Sequence, residues 1–249
     1  MLTRRSAGYR STNNHSHHEI SEILHPGTAT ITAKSVDGGY TAECTVTVQS
    51  SGPAAVDLGL PSGLKWASCN IGATKQEDYG GYYQWAGLED VTSTSIYLDW
   101  ANCPYHDGSE NDKGWTKYNS NFSGTVDHKT VLDSEDDVAH VELGGDWRMP
   151  TNAEFQELLG NCTSEWTIVN GVEGRRFTSK KNGNSIFMPA TGERGRDRLY
   201  DAGYVGSYWS SSVDAFFAFD AYIMRTDSRS SSSSSDARYV GAAIRPVSE

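Results

Sequence analysis

Residues 208–247 read YWSSSVDAFFAFDAYIMRTDSRSSSSSSDARYVGAAIRPV and place six consecutive serines between two apolar stretches. Serine-rich tracts are typical of flexible linkers, because they bury too little apolar area to offset the entropy lost on ordering. Residues 237–249, which follow the tract, are ARYVGAAIRPVSE, an apolar run with Pro246 near its end. We therefore interpret the serine tract as part of a folded domain and not as a linker.

Side chains within this segment alternate with the two-residue period of a β-strand. One set is Tyr222, Met224 and Thr226, and the other is Ile223, Arg225 and Asp227. The pattern predicts a strand with one buried and one exposed face. Periodicity alone does not indicate which set faces the core.

The composition of the whole chain predicts a globular, strand-rich protein. The 249 residues are 37% hydrophobic, which is enough for one or two domains with a core. The 25 glycines and the short apolar runs favour short strands and turns over helices. The formal net charge of −11 disfavours nucleic acid as a partner, because its binding requires a basic face.

We expect no membrane span and no export signal within this chain. No stretch approaches the roughly 18 apolar residues that a membrane-spanning helix needs. The first residues, MLTRRSAGYRSTNNHSHH, lack the apolar core of a signal peptide.

The cysteines and histidines argue against a metal site or catalysis. The cysteines, Cys44, Cys69, Cys103 and Cys162, contain no C-x-x-C pair, which excludes a zinc ribbon and a thioredoxin-like motif. One or two disulfides, or four small buried side chains, remain open. The seven histidines lack metal-ligand or triad spacing, and no G-x-S-x-G motif occurs. We therefore predict no metal, no cofactor and no catalysis.

The N-terminal part divides into three predicted segments. Residues 1–26 are polar and aperiodic, which predicts a disordered tail with solvated His15, His17 and His18. TATITA at 28–33 and TAECTVTV at 41–48 flank an Asp-Gly turn, which predicts a β-hairpin. SGPAA, residues 51–55, is interpreted as a linker.

One clear helix signal lies in DWRMPTNAEFQELLG, residues 146–160. Thr151 and Glu154 have the spacing of a capping box, in which each side chain binds the other residue's backbone amide. Phe155 and Leu158 begin an apolar stripe, and Gly160 stands where a residue that ends a helix belongs.

Two sets of residues near this helix are predicted to have no functional role. Trp147 and Arg148 precede the capped helix, which is typical of core packing and of a charge-assisted tie to loops. Glu135, Asp136 and Asp137 are predicted to form a solvated acidic loop.

The hairpin GTATITAKSVDGGYTAECTVTV resembles the C-terminal half of a bacterial immunoglobulin-like domain of group 2, as found in surface adhesins. That resemblance covers about two strands, residues 27–50. Three further segments resemble the C-type-lectin-like domains of gut Bacteroides-type surface proteins, which share their fold distantly with formylglycine-generating enzymes. These segments are VDLGLPSGLKWASCNIGATKQEDYGGYYQWAG, GGDWRMPTNAEFQELL, and NSIFMPATGERG through YWSSS to IRPV. The second resemblance covers residues 56–249 and implies an α+β fold with short strands, few helices and long loops.

In such domains the segment after YWSSS is often the variable region of a diversity-generating retroelement, in which template adenines are copied as any base. Asn codons are the usual targets and become Ser, Asp, Phe, Arg and others. The last of the twelve asparagines here is Asn184. The ending matches the family pattern R-x-x-G-x-x-V/I-R-P-V at Arg238, Gly241, Ile244, Arg245, Pro246 and Val247. The resemblance therefore implies that the serines are diversified codons on a fixed scaffold.

The resemblance implies a ligand-binding surface with Ile223, Arg225 and Asp227 outward and with Tyr222 and Met224 inward. It also favours exposed rings over a buried strand for AFFAF, residues 215–219. The predicted ligand-binding residues are Asp214, Phe216, Phe217, Phe219, Asp220, Ile223, Arg225, Asp227, Arg229, Ser230, Ser232, Ser234, Ser235, Asp236, Ala237, Tyr239 and Val240.

The implied function is that of a hypervariable ligand-binding protein, an adhesin or receptor-binding protein, at the cell surface or secreted. Its partner would be a protein or glycan on a cell or phage surface. A structural pilus-tip or cell-surface subunit is the alternative. An oxidase of the formylglycine-generating type is less favoured, because its chemistry needs a thiol pair in the C-terminal part and the last cysteine here is Cys162.

Overall fold

The computed structural model describes residues 27–34, 39–48, 52–93, 95–109, 113–119 and 126–249. The predicted tail, residues 1–26, and most of the predicted hairpin turn, residues 35–38, lie outside these described residues. The chain divides into two compact units, residues 1–48 and residues 49–249.

The described part of the first unit is a β-hairpin, as predicted. Strand β1 (Gly27–Lys34) pairs antiparallel with strand β2 (Thr41–Val48), so that Ile31 lies opposite Cys44. Residues 41–45 of β2 are all exposed. Because successive residues of a strand point to opposite faces, both faces of this part of β2 are exposed.

The second unit consists of short strands and two helices within its described residues. They are β3 (Ala55–Asp57), β4 (Lys65–Ala67), α1 (Val138–Leu143), α2 (Asn152–Asn161), β5 (Cys162–Val169), β6 (Val172–Ser179), β7 (Ser185–Pro189), β8 (Glu193–Arg194), β9 (Leu199–Tyr200), β10 (Gly206–Val213), β11 (Asp220–Thr226), β12 (Ser231–Ala237) and β13 (Val247–Ser248).

These strands form small antiparallel sheets with the orders β10-β11-β12, β13-β4-β3, β5-β6-β7 and β8-β9. The predicted α+β class is wrong, because strands account for 36% of the structure and helices for only 11%. The capped helix gives a strong local signal in the sequence, whereas strands of two or three residues leave almost no periodic pattern. The α+β class comes from the resemblance, whereas the composition favours short strands and turns over helices.

The serine tract is strand β12, which pairs with β11 from Thr226 opposite Ser231 to Asp220 opposite Ala237. Strand β11 pairs on its other side with β10, where Ile223 lies opposite Trp209. The serines therefore occupy the edge strand of a three-stranded sheet.

Both faces of β11 are buried, which corrects the prediction that Ile223 points outward. Ile223 belongs to one core cluster with Trp209 and Trp85. Met224, the next residue, belongs to a second cluster with Tyr208 and Phe155 of α2. The sheet lies between two cores, so each face of β11 carries buried side chains, while Tyr222 and Arg225 are half-buried.

Helix α2 begins at the predicted position. Thr151 is the N-cap, its hydroxyl accepts from the Glu154 amide, and the Glu154 carboxylate accepts from the Thr151 amide. Arg148 donates to both carboxylate oxygens of Glu154, at 2.8 and 2.6 Å, which fixes the segment before the helix. The predicted end at Gly160 is wrong, because the helix continues to Asn161 and Cys162 is the C-cap.

The first and last strands of the second unit lie in one sheet. Trp66 of β4 lies opposite both Val56 of β3 and Val247 of β13. The predicted linker, residues 51–55, therefore overlaps β3 at Ala55. None of the described helices is long and apolar enough to cross a membrane.

Replacement of Trp209 by alanine should lower the free energy of unfolding by about 3–5 kcal/mol. The indole is fully buried and its Nε1 donates to the carbonyls of Tyr83 (3.0 Å) and Val240 (3.3 Å). Chemical denaturation measures the change. Tyr204→Ala is the control, because that ring is 75% exposed and its loss should cost less than about 0.5 kcal/mol. Equal losses in the two variants would contradict this account of the core.

Candidate ligand-binding surface

The candidate surface is built on a buried arginine. The Arg238 side chain is fully buried, and its guanidinium carbon lies 4.5 Å from the Trp85 ring centre and 3.9 Å from the Trp115 ring centre. Burial lowers the pKa of Arg238 to about 10. Its Nη1 donates to the Ala218 carbonyl at 2.9 Å. Arg238 thereby anchors the turn that carries the phenylalanines.

That turn, residues 214–219, is organised by Asp214. The Asp214 Oδ1 accepts from the backbone amides of Phe216 (2.8 Å) and Phe217 (3.0 Å). The turn closes where the Asp220 amide donates to the Phe217 carbonyl at 2.9 Å. The Phe216 side chain is 73% exposed and that of Phe217 is 49% exposed. Because a turn cannot bury every residue it contains, these two rings project to solvent, and the buried-strand interpretation of residues 215–219 is wrong.

The exposed rings belong to a larger surface that we call the aromatic patch. It consists of Tyr97, Trp100, Phe216, Phe217, Phe219 and Tyr239. Ring centres are separated by 5.3 Å between Phe217 and Phe219, by 6.1 Å between Phe219 and Trp100, and by 4.6 Å between Trp100 and Tyr239. Such spacings are typical of interacting aromatic pairs.

The aromatic patch ends at Arg196, which sequence reasoning missed. The Arg196 guanidinium carbon lies 5.4 Å from the Tyr239 ring centre and 5.7 Å from the Tyr97 ring centre. Tyr97 and Trp100 lie far from residues 208–247 in the chain, so periodicity and local motifs carry no signal for their place in this surface. Only the ring contacts reveal it.

Of the seventeen predicted ligand-binding residues, fourteen are at least partly exposed. The other three, Asp214, Ile223 and Val240, are buried, which corrects their predicted role in ligand contact. Asp214 holds a turn, whereas Ile223 and Val240 belong to the core cluster that contains Trp209. The three are buried because the sheet packs against loops from the first half of the unit.

Carboxylates surround one end of the aromatic patch, and we call Glu193, Asp214, Asp220 and Asp236 the acidic cluster. Arg225 forms ion pairs with Glu193, at 2.6 Å, and with Asp236. Asp220 makes no ion pair with the residues that the structure describes. Burial, with added repulsion from Asp236 and Asp214, raises the pKa of Asp220 to about 6. Within the described residues, Asp214 and Asp220 thus flank the turn of the exposed phenylalanines without an ion-pair partner.

The predicted solvated acidic loop, residues 135–137, is partly wrong, because Asp136 and Asp137 are buried. Asp136 accepts from Lys117 and from the Tyr105 and Tyr118 hydroxyls. Asp137 caps α1 by accepting from the Ala139 and His140 amides. These donors satisfy the hydrogen-bonding capacity of both carboxylates, which therefore need no contact with solvent. The donors of Asp136 are distant from it in sequence.

Asp133, Glu135 and Asp136 are the described group whose carboxylate oxygens could hold a metal ion, since they lie within 4.8 Å of one another. The Lys117 ammonium lies among them, 2.7 Å from Asp133 and 3.7 Å from Glu135. Hydrogen bonds from Lys117 and then Lys129 lower the pKa of Asp133 to about 2. A cation from the chain itself thus lies among the three carboxylates and offsets part of their charge.

All four cysteines are free thiols, so the structure contains no disulfide between them. Cys69, Cys103 and Cys162 are buried and Cys44 is exposed. Burial raises the pKa of Cys103 to about 12 and also raises that of Cys69 and Cys162. These three thiols are poor nucleophiles at neutral pH, because the thiolate is the reactive form.

Neither a protein-family model nor a curated protein nor a solved structure matches this chain. Support for a function therefore comes from the geometry of the surface.

Replacement of Asp220 by asparagine should stabilise the protein at pH 7.5. The pKa of Asp220 is raised to about 6 in the folded chain, against about 4 for an unfolded aspartate. Between those values the folded state holds more protons, so its stability falls as pH rises through that window. Asparagine avoids this loss, because it stays neutral beside Asp214, Asp236, Glu193 and Arg225.

Thermal melting at pH 7.5 and pH 4 tests the prediction. Asp220→Asn should melt about 2–4 °C above the native chain at pH 7.5, and the difference should shrink at pH 4. Asp146→Asn, which changes an exposed carboxylate outside the acidic cluster, is the matched control. An equal gain at both pH values would show that charge at position 220 is not the cause.

Proposed function

We propose that this chain is a hypervariable ligand-binding protein, diversified by a retroelement, that binds a protein or glycan on the surface of a cell or phage. It acts at the cell surface or after secretion, as an adhesin or receptor-binding protein, and performs no chemistry on its ligand. The aromatic patch and the neighbouring edge strand β12 form its binding surface.

One observation carries this proposal, namely the separation of two residue classes within residues 208–247. Ten of the eleven positions that match the family motifs in this segment are buried, and Ser212 is half-buried; the ten are Tyr208, Trp209, Ser210, Ser211, Arg238, Gly241, Ile244, Arg245, Pro246 and Val247. Fourteen of the seventeen positions interpreted as variable are at least partly exposed. A linker or an ordinary core segment would not divide in this way. A display surface on a fixed scaffold requires this division.

The composition of the surface favours binding. Exposed aromatic side chains contribute most to protein interfaces, and contiguous apolar patches on a surface typically mark interaction sites. Phe216 and Phe217 meet both criteria. The buried thiols with raised pKa values support the absence of cysteine-based oxidation.

A structural cell-surface subunit is the second candidate. It draws support from the hairpin of the first unit, because both faces of β2 are exposed along residues 41–45 and remain free for further strands or another subunit.

The DNA next to the gene tests whether a retroelement diversifies this chain. We expect a near-identical repeat with adenines at the codons of the variable positions, beside a reverse-transcriptase gene. Sequencing of a population should show substitutions at Phe216, Phe217 and Ser232 but not at Trp209 or Arg238. Equal variation at both classes of position, or the absence of the repeat, would contradict diversification.

Binding itself is tested with glycan arrays and a panel of bacterial cells. The double variant Phe216→Ser, Phe217→Ser should lose at least about tenfold in affinity for any ligand found, because two exposed anchors are removed. Tyr204→Ser is the matched control, since it removes an equally exposed ring outside the aromatic patch. A double variant that binds as tightly as the native chain would overturn the proposed surface.

A further inference from the structure

The aromatic patch and the acidic cluster meet at the turn of residues 214–219. The Asp214 carboxylate accepts from the backbone amides of Phe216 and Phe217, the two residues whose rings are exposed. Asp220 follows Phe219 in the chain, and its amide is hydrogen-bonded to the Phe217 carbonyl. A ligand that covers the phenylalanines therefore lies next to Asp220, whose side chain is partly exposed, whereas Asp214 is buried.

The charges of the acidic cluster are unbalanced. Arg225 is the cation that pairs with the cluster, and it contacts only Glu193 and Asp236. Asp214 and Asp220 make no ion pair with the residues that the structure describes. Burial is the main cause of the raised pKa of Asp220, and repulsion from Asp236 and Asp214 adds to it. A ligand cation at this place would relieve the repulsion.

The required ligand combines an apolar stem with a positive tip. Lys and Arg side chains have this form, since their methylene stems pack on apolar surface while the charge stays at the end. Their charged groups are also attracted to aromatic faces. A neutral glycan offers hydroxyl groups but no cation, so it would leave the two carboxylates unpaired. Charge complementarity therefore favours a protein partner.

We propose that the aromatic patch binds a Lys or Arg side chain on the surface of a partner protein, with its stem on Phe216 and Phe217 and its charged tip at the Asp220 carboxylate. This inference rests on the proposed function and specifies the chemistry of its ligand.

The test begins with a phage-displayed library of random twelve-residue peptides, selected on the full chain. Selected peptides should be enriched in Lys or Arg next to an apolar residue, relative to the unselected library. The tightest peptide is then synthesised, and its affinity is measured by fluorescence polarisation for the native chain and three variants.

Asp220→Asn should bind this peptide about tenfold more weakly, because a hydrogen bond to a charged group is lost. Asp146→Asn, which also removes one negative charge, should bind as the native chain does. Phe216→Ser, Phe217→Ser should also weaken binding. The two charge variants have the same net charge, so a difference between them cannot arise from long-range attraction.

Other outcomes overturn the inference in distinguishable ways. The Lys or Arg ligand would be overturned if the selected peptides show no enrichment in basic residues, or if Asp220→Asn and Asp146→Asn bind with equal affinity. In either case the phenylalanine variant still tests the surface. A peptide whose affinity none of the variants changes would overturn the proposed surface as well. A selection that yields no peptide, together with a neutral glycan bound through Phe216 and Phe217, would replace the protein partner by a glycan.

Discussion

The guanidinium of Arg238, held between the Trp85 and Trp115 rings, is the contact on which the aromatic patch depends. A buried cation is costly unless its surroundings compensate, and the compensation here comes from two aromatic faces and from the carbonyl of Ala218. Trp85 and Trp115 belong to the first half of the second unit, whereas Arg238 and Ala218 belong to its C-terminal segment. One side chain therefore joins the two halves and fixes the turn that presents Phe216 and Phe217. The rings of Trp100 and Tyr239 continue outward from Trp115, so the aromatic patch extends from this buried site to the surface.

The C-terminal sheet contributes both to the core and to the surface of the protein, two roles that usually fall to separate parts of a protein. Strand β11 is packed on both faces, through Ile223 on one side and Met224 on the other, and so belongs to the core. Strand β12, which is mostly half-buried, and the turn of residues 214–219, in which residues 215–217 are exposed, flank it. Under the proposed function, change is tolerated in the flanking parts because β11 supplies the packing. Position 223 does not share that freedom, since a polar or charged residue there would be buried without a partner.

Local sequence signals predicted local structure well. The capping box of Thr151 and Glu154 marked the start of α2 to the residue, and alternation around an Asp-Gly turn marked the β1–β2 hairpin. The errors arose where distant residues decide the outcome. Alternation along β11 does not show that loops cover one face and α2 the other, and the resemblance wrongly placed Ile223 at the surface. The burial of Asp136 depends on Lys117, Tyr105 and Tyr118, which no pattern near position 136 reveals. Tyr97 and Arg196 joined the aromatic patch only through contacts across the fold.

The position of β12 at the edge of its sheet has a consequence for solubility. Its outer backbone groups pair with no other strand among the described residues, and it lacks the lysine, proline or bulge that commonly protects such edges. Serine lowers the risk of aggregation through this edge, because it has little tendency to form the dry, interlocked stacks of amyloid-like assemblies. If variation replaced several serines by Ile, Val or Phe, the same strand would become a template for self-assembly. Under the proposed function, the variation that this strand tolerates is therefore limited by self-assembly as well as by folding. The formal net charge of −11 opposes self-assembly by keeping copies of the chain apart.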